Sequence, residues 1–160
     1  METAVNIQNY LPHRAPMLMV DLILDLDANF VETIFLIKED NLFVDNGTFI
    51  EAGLIENTAQ TCSSIVGKKY FFDEDGTENE NVNVIGFISA LKNVKIHLLP
   101  KAGDTITTKA TLVSKFVGDD YTLCTMSCKS LLESQILLEC EINLFIQKTI
   151  SAENNLFDEK

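Results

Sequence analysis

Arginine, histidine and paired cysteines are scarce in this chain of 160 residues. It contains one arginine, Arg14, and two histidines, His13 and His97. No two of its four cysteines form a CxxC pair. A zinc site needs about four closely spaced nitrogen or sulfur ligands, so no metal site is predicted. The four thiols are instead expected to lie in the core as small hydrophobic groups.

Positive charge is scarce as well. The chain has 24 acidic residues against 12 basic ones, a formal net charge of −12. A surface of that sign disfavours nucleic acids and anionic membranes as partners. No apolar run approaches the roughly 18 residues of a membrane span. The N-terminal "METAVNIQNY" lacks the apolar core of a secretory signal, so we expect a cytoplasmic location.

Two common catalytic motifs are also missing. The seven glycines are scattered and match neither GxGxxG nor GxxxxGK[ST], which excludes the usual phosphate-binding loops. Ser63 and Ser64 fall inside a predicted helix with no nucleophile elbow, which disfavours a serine hydrolase.

The first half of the chain predicts a hairpin followed by a helix. Residues 17–27 alternate with period two, and this pattern places the even-numbered apolar residues from Leu18 to Leu26 inward. Residues 30–38 complete the hairpin. From Phe49 onward, apolar residues recur every three or four positions. That spacing predicts an amphipathic helix with one buried stripe, which begins with Ala52 and ends near Gly67.

The second half predicts strands only. An acidic loop at residues 73–83 is followed by one long strand or two at 84–99, with a bulge between Ala90 and Val94. Residues 105–117, with Phe116 facing inward, residues 121–129 and residues 134–147 also alternate. Residues 1–150 are expected to form one domain, and residues 151–160 a frayed acidic tail. One helix covers five or six strands only if the sheet curls around it. The pattern therefore predicts an α+β hotdog fold, an antiparallel sheet wrapped around one long central helix.

Polar side chains on the predicted helix are candidates for chemistry. Glu56 and Gln60 are four residues apart and share a face, with Asn57 beside them. A carboxylate on a mostly buried helix suits general acid–base catalysis, although a solvated helix residue fits the same spacing. Free backbone N–H groups around Phe49 to Gly53 would bind a thioester oxygen as it gains charge.

Three segments occur in an order that is typical of one family. They are "YLPHRAPMLMVDLIL" at residues 10–24, "GLIENTAQT" at 53–61 and "VKIHLLPKAGDTI" at 94–106. Together they resemble the hotdog-fold 3-hydroxyacyl-[acyl-carrier-protein] dehydratases: the opening PHR-x-P segment, the helix motif with its Glu and Ala-Gln, and a strand-turn-strand. Residues 47–52 are similar to the G-T-L-P-A-W of a divergent branch found in aryl-polyene and related pigment clusters.

The resemblance implies both an activity and an assembly. The expected reaction is dehydration of 3-hydroxyacyl-acyl-carrier-protein to the trans-2-enoyl form, in fatty-acid or pigment-type biosynthesis. The acyl chain would arrive on the phosphopantetheine of an acyl carrier protein, with no bound cofactor or metal. Two hotdogs would join edge to edge as a homodimer or within a higher oligomer, with acyl tunnels at their interface. Thioester hydrolysis is one alternative, and a non-catalytic hotdog subunit that partners a dehydratase is another.

The resemblance also implies the site residues. Glu56 matches the catalytic Glu of the family, and Gln60 the Gln of its Ala-Gln pair. The catalytic His of the family has no counterpart, because no histidine lies between His13 and His97. His13 is therefore the expected base and Glu56 the acid. Asn57, Gln60, Gly53 and Gly47 are the predicted substrate-binding residues.

An acidic carrier protein would need a local basic surface on this chain. Five lysines are candidates, although scattered solubilising lysines fit the same sequence: Lys68, Lys69, Lys92, Lys95 and Lys101. Arg14 is expected to pair with the acidic residues of its own strand or to help anchor a phosphate.

Overall fold

The computed structural model describes residues 5–71, 75–77 and 82–150. One helix, α1 (Glu51–Phe71), and a short 3-10 turn (Ile7–Asn9) occur in these ranges. The strands there are β1 (Val5–Asn6), β2 (Leu22–Leu26), β3 (Phe30–Leu36), β4 (Val44–Asp45), β5 (Thr48–Phe49), β6 (Val82–Ile96), β7 (Thr105–Val117), β8 (Tyr121–Leu132) and β9 (Gln135–Ile150).

The strands form one large antiparallel sheet that packs against α1. Its order is β1-β2-β3-β7-β8-β9-β6, and β4 and β5 form a separate small hairpin. The helix contacts β3, β6, β7, β8 and β9, so it lies along one face of the sheet. This is the predicted α+β hotdog arrangement, and the predicted hairpin of residues 17–38 corresponds to the antiparallel pair β2–β3.

An Asn-Gly turn between β4 and β5 leads into the helix. Asn46 and Gly47 both have positive φ, 48° and 79°. Two such residues in a row make the tight turn that matches the twist of a hairpin. The carbonyl of Gly47 accepts the N–H of Ala102 at 2.9 Å. The start of α1 is thereby fixed beside the turn between β6 and β7.

The helix is buried on almost every side rather than along one stripe. Residues 57–67 are buried except for the half-buried Ser63, whereas Ala52, predicted to lie inward, is exposed. A sheet that curls around a helix covers all its faces, so the periodicity disappears. Hydroxyl side chains tolerate this burial because they bind helix carbonyls, as Thr61 does to that of Asn57 at 2.9 Å. The predicted end near Gly67 is wrong, because α1 continues to Phe71.

The predicted orientation of the first strand is wrong for Leu22 and Leu24, whereas Val20 is buried as predicted. Ile23 is buried, at 2% exposure, whereas Leu22 and Leu24 are exposed. A register shift against β3 falls between Ile23 and Asp25, and the run is apolar at both parities. The apolar alternation therefore did not fix which face is inward. The regular strand is also shorter than residues 17–27.

The later strands follow the prediction more closely. β7 has the predicted bounds, and β9 buries Leu138, Cys140 and every second residue up to Ile146. A register shift between Lys92 and Lys95 lies at the predicted bulge in β6. The inward orientation predicted for Phe116 is wrong, since this ring is 57% exposed. β7 contains a register shift between Leu112 and Ser114, and one extra residue moves every following side chain to the other face.

All four cysteines are free and buried, as the sequence predicts. Cys62 of α1 and Cys128 of β8 bring their Sγ atoms to 3.2 Å. The predicted loop at 73–83 lies largely outside the described residues, and the predicted tail at 151–160 lies outside them entirely.

Candidate active site

Gln60 connects the helix to the segment that precedes β2. Its side chain is 1% exposed and makes three hydrogen bonds of 2.8 Å each. Oε1 accepts the N–H of Met19, while Nε2 donates to the carbonyl of Met17 and to Glu56 Oε1. One side chain therefore fixes both the carboxylate of Glu56 and the chain that carries His13.

Asn57 forms a second buried connection. Its Nδ2 donates to the Met19 carbonyl at 2.6 Å, and its Oδ1 accepts the hydroxyl of Thr108 at 2.6 Å. Thr108 Oγ1 lies 2.9 Å from Ser130 Oγ, which extends the network into β8. Both ends of the Asn57 amide are thus occupied by the protein. A direct role of Asn57 and Gln60 in substrate binding stays a prediction, and their visible role is to hold the site together.

His13 and Glu56 face each other at an accessible position. His13 Nε2 lies 3.9 Å from Glu56 Oε1, and the two side chains are 32% and 26% exposed. The separation exceeds a direct hydrogen bond but leaves room for a small bridging group. The opposite ring nitrogen, Nδ1 of His13, is buried and has no hydrogen-bond partner. The two residues predicted to act as base and acid are therefore neighbours within one chain.

Arg14 stabilises the loop that holds His13. Its Nη1 donates to the carbonyls of Leu11 and His13, each at 2.8 Å, and its Nη2 to that of Gln8 at 3.3 Å. The guanidinium therefore binds backbone oxygens rather than the acidic residues of its own strand. Such hydrogen bonds from a charged donor are strong enough to order a short loop.

The surroundings of His13 favour its neutral form. Burial lowers the pKa of His13 below its ordinary value of 6.5, and Arg14 lowers it further, whereas Glu56 works in the opposite direction. The net shift is downward. Near neutral pH the imidazole is therefore uncharged, which is the form able to accept a proton.

The two predicted glycines have clear backbone roles. A Cβ on Gly53 would lie 2.5 Å from the ring of Phe49 and 2.6 Å from Phe43, so only glycine lets α1 approach the β4–β5 hairpin this closely. Gly47 occupies the Asn-Gly turn. Substrate binding by either glycine stays a prediction.

The helix start offers fewer free N–H groups than predicted. The N–H of Phe49 donates to the Pro100 carbonyl at 2.8 Å, and that of Gly53 to the Ile50 carbonyl at 3.0 Å. The N–H of Ile50 also binds within the chain. A thioester oxygen would therefore have to use the remaining amides of the first helical turn.

The other predicted residues lie away from this pair or outside the described side chains. His97 Nε2 lies 3.1 Å from Glu139 Oε2, an exposed pair on the sheet. Lys92, Lys95 and Lys101 are exposed, whereas the side chains of residues 68 and 69 are not described. Among the described residues, no three His, Cys, Asp or Glu side chains are grouped so as to hold a metal ion.

Periodicity gave no signal for several of the supporting groups. The backbone of Met17 and Met19 and the hydroxyls of Thr108 and Ser130 complete the site network. Main-chain groups have no sequence signature. Thr108 does give a weak sequence signal, because it is a polar residue at a position where the alternation of the strand predicts an inward side chain.

A family model and several solved structures match this chain. The model of the ApeP-like family, described as ApeP dehydratase, matches residues 5–155. A structure of the dehydratase heterocomplex ApeI:P from Xenorhabdus doucetiae has 16% identity and a TM-score of 0.74, covering 93% of this chain and 94% of that one.

Two further structures resemble the fold at lower scores. An uncharacterised protein from Pyrococcus horikoshii has 13% identity and a TM-score of 0.60, over 96% of this chain and 99% of that one. A putative thioesterase, a phenylacetic acid degradation-related protein from Ralstonia eutropha, has 15% identity and a TM-score of 0.54, over 77% and 82% of the two chains. At these identities the likeness concerns the fold alone. Among curated proteins, no sequence relative matches. In the part of the chain that the structure describes, no helix is both long and apolar enough to cross a membrane.

Proposed function

The chain belongs to the ApeP-like dehydratase family, and on this basis we propose that it dehydrates 3-hydroxyacyl thioesters to trans-2-enoyl thioesters. One observation carries the proposal: His13 Nε2 and Glu56 Oε1 lie 3.9 Å apart, each side chain partly open to solvent. Elimination of water needs a base at Cα and an acid at the β-hydroxyl, and these two atoms of the substrate are neighbours. A base and an acid at this separation can serve both.

The proposed reaction balances within the pair. The neutral imidazole of His13 takes a proton from Cα, and the C–H electrons form the Cα–Cβ double bond. The Cβ–O bond breaks, and Glu56 donates its proton to the departing hydroxyl, which leaves as water. His13 is then protonated and Glu56 ionised. His13 Nε2 lies 3.9 Å from Glu56 Oε1, too far for a direct hydrogen bond, so water carries the proton from His13 to Oε2 of Glu56, which restores the starting state.

Gln60 restricts which carboxylate oxygen acts in this scheme. Its Nε2 donates to Oε1 of Glu56, so Oε1 is an acceptor and the transferable proton is best carried by Oε2. We propose that Oε2 protonates the hydroxyl of the substrate, while Oε1 faces His13. The acyl chain would arrive on phosphopantetheine from an acyl carrier protein in the cytoplasm, with exposed lysines such as Lys101 available for contact.

The proposal includes association with a second hotdog subunit. β6 is one of the two outer strands of the sheet, and five of its apolar residues are more than a third exposed: Ile85, Phe87, Leu91, Val94 and Ile96. An edge strand of 15 residues with exposed apolar side chains is a template for pairing with another sheet. The ApeI:P heterocomplex is a related case of assembly between dehydratases. The partner here is either a second copy or a different hotdog subunit.

The test is an assay of two thioesters with matched variants. We expect the purified chain, alone or with a co-purifying hotdog subunit, to convert a 3-hydroxyacyl-phosphopantetheine thioester to the enoyl product, followed by its ultraviolet absorbance and by loss of water in mass spectrometry. Glu56→Gln and His13→Gln should each lower the rate by about 10²–10⁴-fold, the contribution of a general acid or base. His97→Gln is the matched control and should retain the rate.

Three other outcomes would separate the alternatives. Release of free thiol from a saturated acyl thioester, without dehydration, would identify a thioesterase. Unchanged rates in both Glu56→Gln and His13→Gln would exclude the pair as the catalytic machinery. Activity that requires a partner and survives both substitutions would assign the chemistry to that partner, with this chain as its non-catalytic subunit.

A further inference from the structure

The outer face of the sheet, opposite α1, carries an exposed apolar row. Phe87 of β6 pairs with Phe145 of β9, Phe145 with Leu123 of β8, and Leu123 with Phe116 of β7. Tyr121 stacks on Phe145 at 5.5 Å, and Phe87 stacks on the other side at 5.0 Å. Phe116, Phe87 and Leu123 are 57%, 51% and 39% exposed. We name these five residues the outer apolar row. An exposed apolar patch of this kind marks an interaction surface.

A second row on the same face carries charges of both signs. Lys95 of β6 pairs with Glu139, Glu139 with Lys129, Lys129 with Lys109, and Lys109 with Glu32 of β3. Two of these contacts are ion pairs, Lys129–Glu139 at 3.3 Å and Lys109–Glu32 at 3.5 Å. Glu139 and Phe145 are six residues apart on β9, so both rows point to the same side. We name these residues the outer charged row.

The two rows are complementary to themselves under one symmetry operation. Consider a two-fold axis that lies outside the sheet above β8 and runs parallel to the strands. Rotation about this axis places the outer faces of two sheets back to back. Each residue keeps its position along the strand direction, whereas the order of the strands is reversed. β9 then faces β7 of the second copy, and β6 faces β3. Glu139 meets Lys109 of the second copy, and Lys95 meets its Glu32. At the level of the outer apolar row, Phe145 meets Phe116 of the second copy, and Leu123 meets its own equivalent.

We propose that the outer face of the sheet is a contact between two copies of this chain, related by that axis. Face-to-face sheets pack about 10 Å apart with their strands within about 30° of one another, which keeps both rows in register near the axis. An isologous contact requires a surface that complements itself. These rows place apolar groups against apolar groups and oppose unlike charges at four of the five charged positions, while Lys129 of β8 faces its own equivalent on the axis. The contact is separate from edge pairing at β6 and does not depend on the reaction.

The first test measures molecular mass in solution. Light scattering during size-exclusion chromatography should give Phe116→Glu a lower mass than wild-type protein, and half the mass where β6 edges do not also pair. Leu42→Glu is the matched control, because Leu42 is 54% exposed but lies in the loop before β4, and it should keep the wild-type mass. Circular dichroism should show that both variants stay folded. An unchanged mass in Phe116→Glu would overturn the proposal, as would loss of a different bound protein without any change in self-association.

The second test uses complementary charge reversals in separate chains. Glu139→Lys alone places two lysines against each other across the axis, and Lys109→Glu alone places two glutamates there, so each variant should show about half the wild-type mass. An equimolar mixture restores both opposite-charge pairs and should recover the wild-type mass. Changes within one chain cannot produce that recovery. A mixture that remains at half mass, or single variants that keep full mass, would contradict the two-fold geometry.

Discussion

At the scale of single residues, the site depends on how its side chains are held rather than on which ones are present. Glu56, Gln60 and His13 are ordinary residues in the sequence. Gln60 binds Glu56 and the backbone that leads from His13, so it sets the distance between the His13 imidazole and the Glu56 carboxylate. The unpartnered Nδ1 of His13 leaves that ring without a second anchor, which is consistent with a group that must accept and release a proton.

The downward pKa shift of His13 predicts a pH dependence of stability. The folded chain holds the His13 proton less tightly than the unfolded chain, whose pKa is near 6.5. The unfolded state therefore binds more protons as the pH falls below about 6.5, and the free energy of unfolding decreases there. We expect urea unfolding at several pH values to show this decrease in wild type and less of it in His13→Gln. Parallel curves for the two proteins would contradict the prediction.

The downward pKa shift of His13 also predicts how kcat/KM depends on pH at the acidic end of its pH profile. If neutral His13 is the base, kcat/KM should stay high down to pH values below 6.5 and fall only when the imidazole becomes protonated. His97→Gln should leave this limb in place. An acid limb that begins well above pH 6.5 would exclude His13 as the group responsible.

Gln60→Leu should cost stability as well as activity. The substitution removes three hydrogen bonds and leaves the Met19 N–H and the Met17 carbonyl without their partner. We expect the free energy of unfolding to fall by about 2–4 kcal/mol, since each buried unsatisfied group costs about 1–3 kcal/mol. Gln60→Glu keeps the acceptor for the Met19 N–H but loses both donated bonds and places a second carboxylate beside Glu56, so it should be at least as destabilising as Gln60→Leu. A loss below about 1 kcal/mol in Gln60→Leu would show that the connection is weak.

At the scale of elements, the contact between α1 and the β4–β5 hairpin depends on one glycine. Gly53→Ala would place a Cβ within 2.6 Å of both Phe43 and Phe49. We expect a loss of about 1–3 kcal/mol in chemical denaturation, the usual cost of overpacking. Gly86→Ala on β6 is the control, because its Cβ would meet Ile146 at an ordinary 3.6 Å. Equal stability of the two variants would mean that the hairpin moves aside without cost.

The sequence predicted the elements better than their faces. Alternation gave β7 its bounds and β9 its buried side, since period two persists along β9 from Leu138 to Ile146 and along β7 as far as Leu112. Register shifts in β2 and β7 reversed the expected faces of Leu22 and Phe116, because one additional residue changes the parity and leaves the apolar pattern intact.

The site was predictable only through family resemblance. Glu56 and His13 are 43 positions apart, and no periodicity connects them. Their proximity arises from hydrogen bonds between side chains of α1 and the backbone at Met17 and Met19. Backbone partners look the same at every residue, so sequence reasoning could name the helix acid but could not derive what positions it.

At the scale of the whole molecule, strand β6 and the outer face offer two independent surfaces. Leu91 of β6 is 39% exposed on the strand that ends the sheet. We expect Leu91→Glu to weaken edge pairing, and Phe116→Glu to weaken the back-to-back contact. The double variant should then have the mass of a single chain of 17.9 kDa. If Leu91→Glu and Phe116→Glu each give the same species as the double variant, the two surfaces form one interface.

The buried hydroxyl and amide side chains of α1 determine how cooperatively the chain unfolds. Four of them bind different segments that surround the helix: Gln60 the segment before β2, Thr61 the Thr33 hydroxyl of β3, Asn57 the Thr108 hydroxyl of β7, and Thr58 the Ser130 hydroxyl of β8. A small rotation or slide of the helix would break all of these bonds together, and no partly shifted position would restore them. Heating should therefore abolish the helical and tertiary signals in one cooperative transition, with no loosened intermediate that keeps its helix but has separated His13 from Glu56.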